Sequence, residues 1–294
     1  MKGCELCPRR CKVDRKISAG FCGADEKIRL ALVSLHKWEE PCLTGDNGAG
    51  TIFFSHCNLK CVFCQNFKIS HEGFGKNISV ERLAEIFLEQ QEKGAANIEL
   101  VTPTQYVPQI CSAIDSAKKF GLKIPIVYNS NAYENLETLD LLKNRVDIFL
   151  PDLKYFDNEL ARNFSNAPNY FFYASQAVKK MFELVGENKF DSSGLMTRGM
   201  IIRHLILPNC RHDSMKIIDW IYNNFGDKIF VSLMNQYTPI FHAGDYKKIS
   251  RRLTSFEYNS VINHALDIGL KNCFIQTEKA DGENFIPNFN LCGV

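Results

Sequence analysis

A chain of 294 residues, 45% apolar and 23% charged, can fill the core of one large domain or two unequal ones and is too apolar to stay disordered. A formal net charge of +2 argues against non-specific binding to nucleic acid. No apolar run reaches the roughly 18–20 residues of a membrane span, and the start Met1–Pro8 carries no apolar signal core. A cytoplasmic protein with no membrane partner is therefore expected, with its twelve cysteines held as reduced thiols.

Residues 1–48 are rich in Cys, Gly, Lys and Arg, with one strand-like run at Lys27–Leu35, and they end in a glycine-rich turn at 44–50. Cys4, Cys7, Cys11 and Cys22 read C-x2-C-x3-C-x10-C, a closed set that suits Zn²⁺ or a second iron–sulfur cluster, with Cys42 able to replace Cys22. A segment this small gains from a metal staple. A boundary near 48 divides a Cys-rich segment (1–48) from the remainder (49–294).

Beyond the boundary, β-branched and aromatic runs alternate with helical periodicity. Strands are predicted at Thr51–Ser55, Asn97–Thr102, Ile124–Asn129, Val146–Leu150, Met200–Leu207 and Lys228–Met234, with a seventh short one at 273–276. Helices are predicted at Val80–Lys93 behind a Ser79 cap, Pro108–Phe120, Leu136–Lys143, Ala174–Val185, Ser214–Asn224 and Ser255–Leu266. Six β-then-α units imply a parallel α/β sheet, either open and doubly wound or curled into an incomplete barrel, with its chemistry at the carboxyl ends of the strands.

The first of these strands runs into Cys57, Cys61 and Cys64, spaced C-x3-C-x2-C. Three close thiolates suit a [4Fe–4S] cubane whose fourth iron has no protein ligand and can bind a small molecule. The alternatives are three structural cysteines or a zinc site completed by His56. Zinc prefers paired C-x2-C knuckles, and His56 would point to the opposite side of an extended strand. Cys111, Cys210, Cys273 and Cys292 stand apart as unliganded thiols.

C-x3-C-x-aromatic-C at a first strand end, with Phe63 in the aromatic slot, resembles the radical S-adenosylmethionine superfamily. More closely, the chain resembles an uncharacterised branch related to the pyruvate formate-lyase activating enzyme. That likeness rests on Cys-Glu-Leu-Cys-Pro-Arg-Arg-Cys (4–11), His-Lys-Trp-Glu-Glu-Pro-Cys (36–42), Asn-Ile-Glu-Leu-Val-Thr-Pro-Thr (97–104), Leu-Pro-Asp-Leu-Lys-Tyr (150–155) and Ile-Arg-His-Leu-Ile-Leu-Pro-Asn (202–209).

The resemblance implies a partial (β/α)6 barrel behind a small Cys-rich metal-binding segment. It implies a cluster on Cys57, Cys61 and Cys64 that chelates S-adenosylmethionine through its open iron and cleaves it to a 5′-deoxyadenosyl radical. That radical would take hydrogen from an unidentified protein or small-molecule substrate, a glycyl-radical enzyme being one candidate, with flavodoxin or ferredoxin as electron donor.

Asp152 and Lys154 look like the Asp-Leu-Lys of the activating enzymes, where the lysine approaches the cofactor carboxylate. Arg203 is a second partner for carboxylate or ribose, and Asn129, Ser130 and Asn131 are candidates for the ribose hydroxyls. Phe63 and Thr102 complete the cofactor set, and adenine is expected near Met234–Tyr237. Against these readings, Lys154 and Arg203 could form a structural ion pair with Asp152, and the asparagines could serve a turn.

The chain departs from the family at the second strand. The Gly-Gly-Glu that grips the cofactor ammonium is replaced by Thr102-Pro103-Thr104, and Glu99 can substitute only if its side chain faces inward. Two other classes compete. An iron–sulfur electron carrier or redox sensor would not require polar groups at several strand ends, and a zinc-dependent nucleic-acid binder lacks the basic balance.

Overall fold

The computed structural model describes residues 3–276 and 287–294. The elements in chain order are β1 (Ile28–His36), α1 (Pro41–Thr44), β2 (Ala49–Phe54), α2 (Phe67–Ser70), β3 (Lys76–Ile78), α3 (Val80–Glu92), β4 (Ile98–Val101), α4 (Val107–Lys119), β5 (Ile126–Ser130), α5 (Leu136–Asp140) and β6 (Ile148–Pro151). They continue with α6 (Asn158–Ser165), α7 (Tyr170–Val185), β7 (Lys189–Phe190), β8 (Met196–Leu205), α8 (Arg211–Phe225), β9 (Phe230–Met234), α9 (Ser255–Asp267) and β10 (Cys273–Ile275).

The strands hydrogen-bond in the order β10-β9-β8-β6-β5-β4-β2-β1-β3, with β7 paired to β8. From β2 to β10 the neighbours along this path are parallel. Strands β2, β4, β5 and β6 are buried at every position, because helices cover one face and the interior of the curl fills the other. The period of two separates these faces: Ile52, Leu100, Tyr128 and Phe149 pack into the helix layer, whereas Val127, Ile148, Leu150 and Ile201 form an inner cluster with Leu43 of α1. Helix starts follow local chemistry. Ser79 accepts from the Arg82 N–H ahead of α3, and Thr254 with Glu257 forms a reciprocal capping box on α9.

Six parallel strands run from β2 to β9, with β10, where the seventh short strand is expected, on one edge. On the other side β1 pairs antiparallel with β2 and β3 with β1, so β1, drawn from the first 48 residues, is continuous with the main sheet. One feature corrects the expected metal-binding leader: among the described residues no group of three or more His, Cys, Asp or Glu side chains is arranged to hold a metal ion. This overturns the metal-binding character assigned to Cys4, Cys7, Cys11 and Cys22.

Cys11 Sγ accepts from the Phe21 N–H at 3.3 Å and Cys22 Sγ from the Ala24 N–H at 3.4 Å. Burial pushes the Cys7 thiol up to about 12 and raises that of Cys22. The stapling falls to arginines. Arg9 donates to the carbonyls of Asn58 and Asn166, and Arg15 to those of Gln105 and Asp25.

No described helix is long and apolar enough to cross a membrane.

Candidate active site

β2 ends at Phe54, and the chain enters a loop, Ser55–Asn66, that carries all three closely spaced cysteines. Gln105, buried, holds the loop entrance by donating Nε2 to the carbonyls of Ser55 (3.0 Å) and His56 (3.2 Å). His56 adopts a left-handed φ of 73°. Its ring lies against Gly23 and Gly73, where an added Cβ would come within 2.9 and 2.6 Å. The imidazole is thereby engaged with these glycines, and burial, reinforced by Arg29 and Lys60, pushes it down to about 4. No single-ion site forms here either, so the zinc alternative completed by His56 is overturned.

The three thiols line one cleft of about 220 Å³. Each has its own hydrogen-bond partner. Cys57 Sγ accepts from the Leu59 N–H and Asn131 Nδ2, both at 3.4 Å; Cys61 Sγ accepts from Ser165 Oγ at 3.0 Å; Cys64 Sγ lies 3.1 Å from Ser70 Oγ. Burial first, and the proximity of their own charges second, raises Cys57 to about 12 and Cys64 to about 11.

The opposite wall comes from strand ends: Thr102 after β4, Asn129 and Ser130 on β5, Asp152 and Lys154 after β6, Arg203 on β8 and Met234 on β9. Phe63 lines it too, edge-on to Tyr237 at 5.7 Å. Convergence of six strands on one cleft shows that the sheet curls around it.

Asp152 joins the two cations. Its Oδ2 accepts from Lys154 Nζ and its Oδ1 from Arg203 Nε, each at 2.9 Å. Burial alone would raise this carboxyl, but Arg203 and Lys154 outweigh burial and hold it below the usual range. Lys154 spends one of its three donors on this pair. Arg203 is more fully committed, with NH1 on Glu39 at 3.0 Å and NH2 on Asn129 Oδ1 at 2.8 Å. Asn131 likewise gives its amide to Cys57 and to Asn58 Oδ1. Thr102 sits at φ 58°, its carbonyl accepting from Gln105 at 2.8 Å.

Glu99 does face inward. It is fully buried, accepting from Asn129 Nδ2 at 2.6 Å and Thr51 Oγ1 at 3.4 Å. Burial, and then Glu39, raises it well above the ordinary glutamate value. Glu39 was missed as a site residue. Its sequence context, His36–Cys42, carries no sign that the chain before β2 turns into the cleft to reach a residue 164 positions away. Asn58 and Ser165 were missed for the same reason, since their partners Asn131 and Cys61 come from distant parts of the chain.

Residues 51–205 match the family model described as the radical SAM superfamily, SAM standing for S-adenosylmethionine. An uncharacterized protein of Methanocaldococcus jannaschii is 34% identical over 276 residues, which is 90% of this chain and 74% of that protein. Among solved structures, the FeFe-hydrogenase maturase HydG from Carboxydothermus hydrogenoformans superposes with a TM-score of 0.53 at 15% identity, covering 80% of this chain and 55% of that one. SuiB of Streptococcus suis bound to S-adenosylmethionine superposes at 0.51 and 14% identity, covering 76% of this chain and 48% of that one. The chain thus spans about half the length of SuiB, and at these identities the likeness is one of fold. With the family model matching just over half of its length, the chain belongs to the radical SAM superfamily.

Proposed function

We propose that the chain is a radical SAM enzyme whose Cys57, Cys61 and Cys64 hold a [4Fe–4S] cluster at the head of the cleft. The observation that carries this reading is the donor set. Three thiols of one short loop line a common cleft, each with a separate hydrogen-bond partner, in a chain of this superfamily. When bound, the cluster supplies the electron that cleaves S-adenosylmethionine to methionine and a 5′-deoxyadenosyl radical.

The residues of the chain bind, orient and keep water out. Lys154, with donors to spare beside the depressed Asp152, takes the methionine carboxylate. Arg203 holds Asp152, Glu39 and Asn129 in place so that Lys154 is aimed. Phe63 and Thr102 bound the cleft on either side of the cofactor, and Asn131 acts on the cluster side through Cys57. The substrate is a hydrogen donor, protein or small molecule, and a flavodoxin or ferredoxin supplies electrons. A cleft opposite the thiols speaks against a simple electron carrier, which needs no such space.

The test is anaerobic reconstitution with iron and sulfide, reduction, and assay for methionine and 5′-deoxyadenosine. The wild type is expected to bind about four irons per chain and to form both products. Cys57→Ala, Cys61→Ala and Cys64→Ala should form neither. Wild-type protein that takes up iron but leaves S-adenosylmethionine intact would point to an electron carrier instead.

A further inference from the structure

The Asn58–Leu59 peptide group makes contacts at both ends. Its N–H, from Leu59, donates to Cys57 Sγ at 3.4 Å. Its carbonyl, from Asn58, accepts from Arg9 Nε at 3.0 Å. One peptide unit therefore connects a guanidinium of the N-terminal segment to a thiol of the cysteine loop.

Arg9 is fixed for this task from several sides. Its guanidinium lies over the Phe21 ring at 3.8 Å and over Tyr133 at 5.3 Å, and its NH2 donates to the Asn166 carbonyl. The Asn58 side chain is equally constrained, donating to the Tyr133 carbonyl at 2.7 Å and accepting from Asn131 at 2.7 Å. Asn58 and Leu59 are each 1% exposed, so the peptide itself is shielded from solvent, and Arg9 reaches it from a part-buried position. Arg9 is also close enough to Cys57 for their charges to interact directly.

We propose that Arg9 is a positioning residue that polarises the Asn58–Leu59 peptide and thereby strengthens its N–H···S bond to Cys57. A cation on the carbonyl oxygen draws electron density through the amide and makes the N–H of the same unit a better donor. Hydrogen bonds to cluster sulfurs are among the determinants of reduction potential, because they stabilise the more electron-rich reduced state. Arg9 thus raises the potential at which the cluster accepts an electron. The inference rests on the cluster assignment to Cys57, Cys61 and Cys64.

The experiment compares wild type, Arg9→Gln and Arg9→Lys after anaerobic reconstitution. Its readouts are iron content, midpoint potential by EPR-monitored titration, and melting temperature. Arg9→Gln keeps a donor but removes the charge, so its midpoint should shift to more negative potential at unchanged iron content. Arg9→Lys keeps the charge but loses the planar fork and should shift less, in the same direction. A purely packing role would lower the melting temperature of both variants and leave the midpoint at the wild-type value, which overturns the proposal. If Arg9→Gln does not fold, Arg9→Lys decides, and a wild-type midpoint in that variant overturns the link. Wild-type protein that binds no iron overturns the cluster assignment together with this inference, whereas loaded proteins with identical midpoints overturn this inference alone.

Discussion

Replacing Glu134 by Gln should make the protein more stable in alkali and leave it nearly unchanged in acid. Glu134 lies on the connection from β5 to α5, which also supplies Asn131 and Tyr133 to the cysteine loop. The residue is 1% exposed, its Oε1 accepting from Thr104 Oγ1 at 2.6 Å and from the Tyr128 hydroxyl at 3.3 Å. Its Oε2 has no hydrogen-bond partner among the described residues. Burial outweighs these two bonds and pushes the carboxyl from 4.5 up to about 7.

A carboxyl whose value is higher folded than unfolded keeps its proton longer in the folded state. Its contribution to stability is complete below about pH 4.5 and falls as pH rises, the loss being finished above about pH 7. The span between the two values corresponds to roughly 3 kcal/mol. Gln has the same shape, accepts the same two hydrogen bonds and never ionises. Urea unfolding at pH 5 should therefore give wild type and Glu134→Gln stabilities within about 1 kcal/mol. At pH 8.5 the variant should lead by an amount approaching roughly 3 kcal/mol. A difference that stays constant from pH 5 to pH 8.5 would show that Glu134 does not titrate in this window and would refute the reasoning.

Lys154→Met should weaken S-adenosylmethionine binding by about 1.5–3 kcal/mol, roughly ten- to over a hundredfold, with iron content unchanged in equilibrium binding to the reconstituted protein. Arg203→Met removes the shared partner of Glu39, Asp152 and Asn129, and should cost about 3–5 kcal/mol in thermal or urea unfolding before any ligand is added. Glu99→Ala should lose about 1–3 kcal/mol in urea unfolding by leaving the buried Asn129 amide without its acceptor, whereas Glu99→Gln keeps a side-chain oxygen at that place and should lose less. Gly199→Ala, at φ 129° in β8 with Asn188 Oδ1 2.2 Å from the new Cβ, should lower the melting temperature and disturb the strand that presents Arg203.

Much of the secondary structure could be read locally because it is specified locally. The alternation and apolar runs of β2, β4, β5, β6, β8 and β9 lie within a few residues of the predicted strands, and Ser79 marks the start of α3. Where the prediction missed, the local signal was weak or misleading. α6 is only eight residues long with a polar majority, and the first turn of α7, Tyr170-Phe171-Phe172-Tyr173, is aromatic and so favours a strand by propensity. β3 and β7 are too short to leave a pattern, since three and two residues cannot establish a period.

What the sequence determined by itself was the presence of three thiols on one loop leaving a strand, because spacing within eight residues is a property of the chain. What only the tertiary structure decided was which groups meet them. Glu39 reaches Arg203, Ser165 reaches Cys61, and Arg9 reaches the peptide that donates to Cys57, each across a long stretch of sequence. The cysteines at 4, 7, 11 and 22 mark the same divide. Their spacing reads as a metal site, yet among the described residues no such group is arranged to hold an ion, and the segment is docked by two arginines onto distant backbone carbonyls. Spacing limits what a chain can place together, but convergence depends on strand order and on which buried polar groups find partners, and these are settled only when the sheet closes around them.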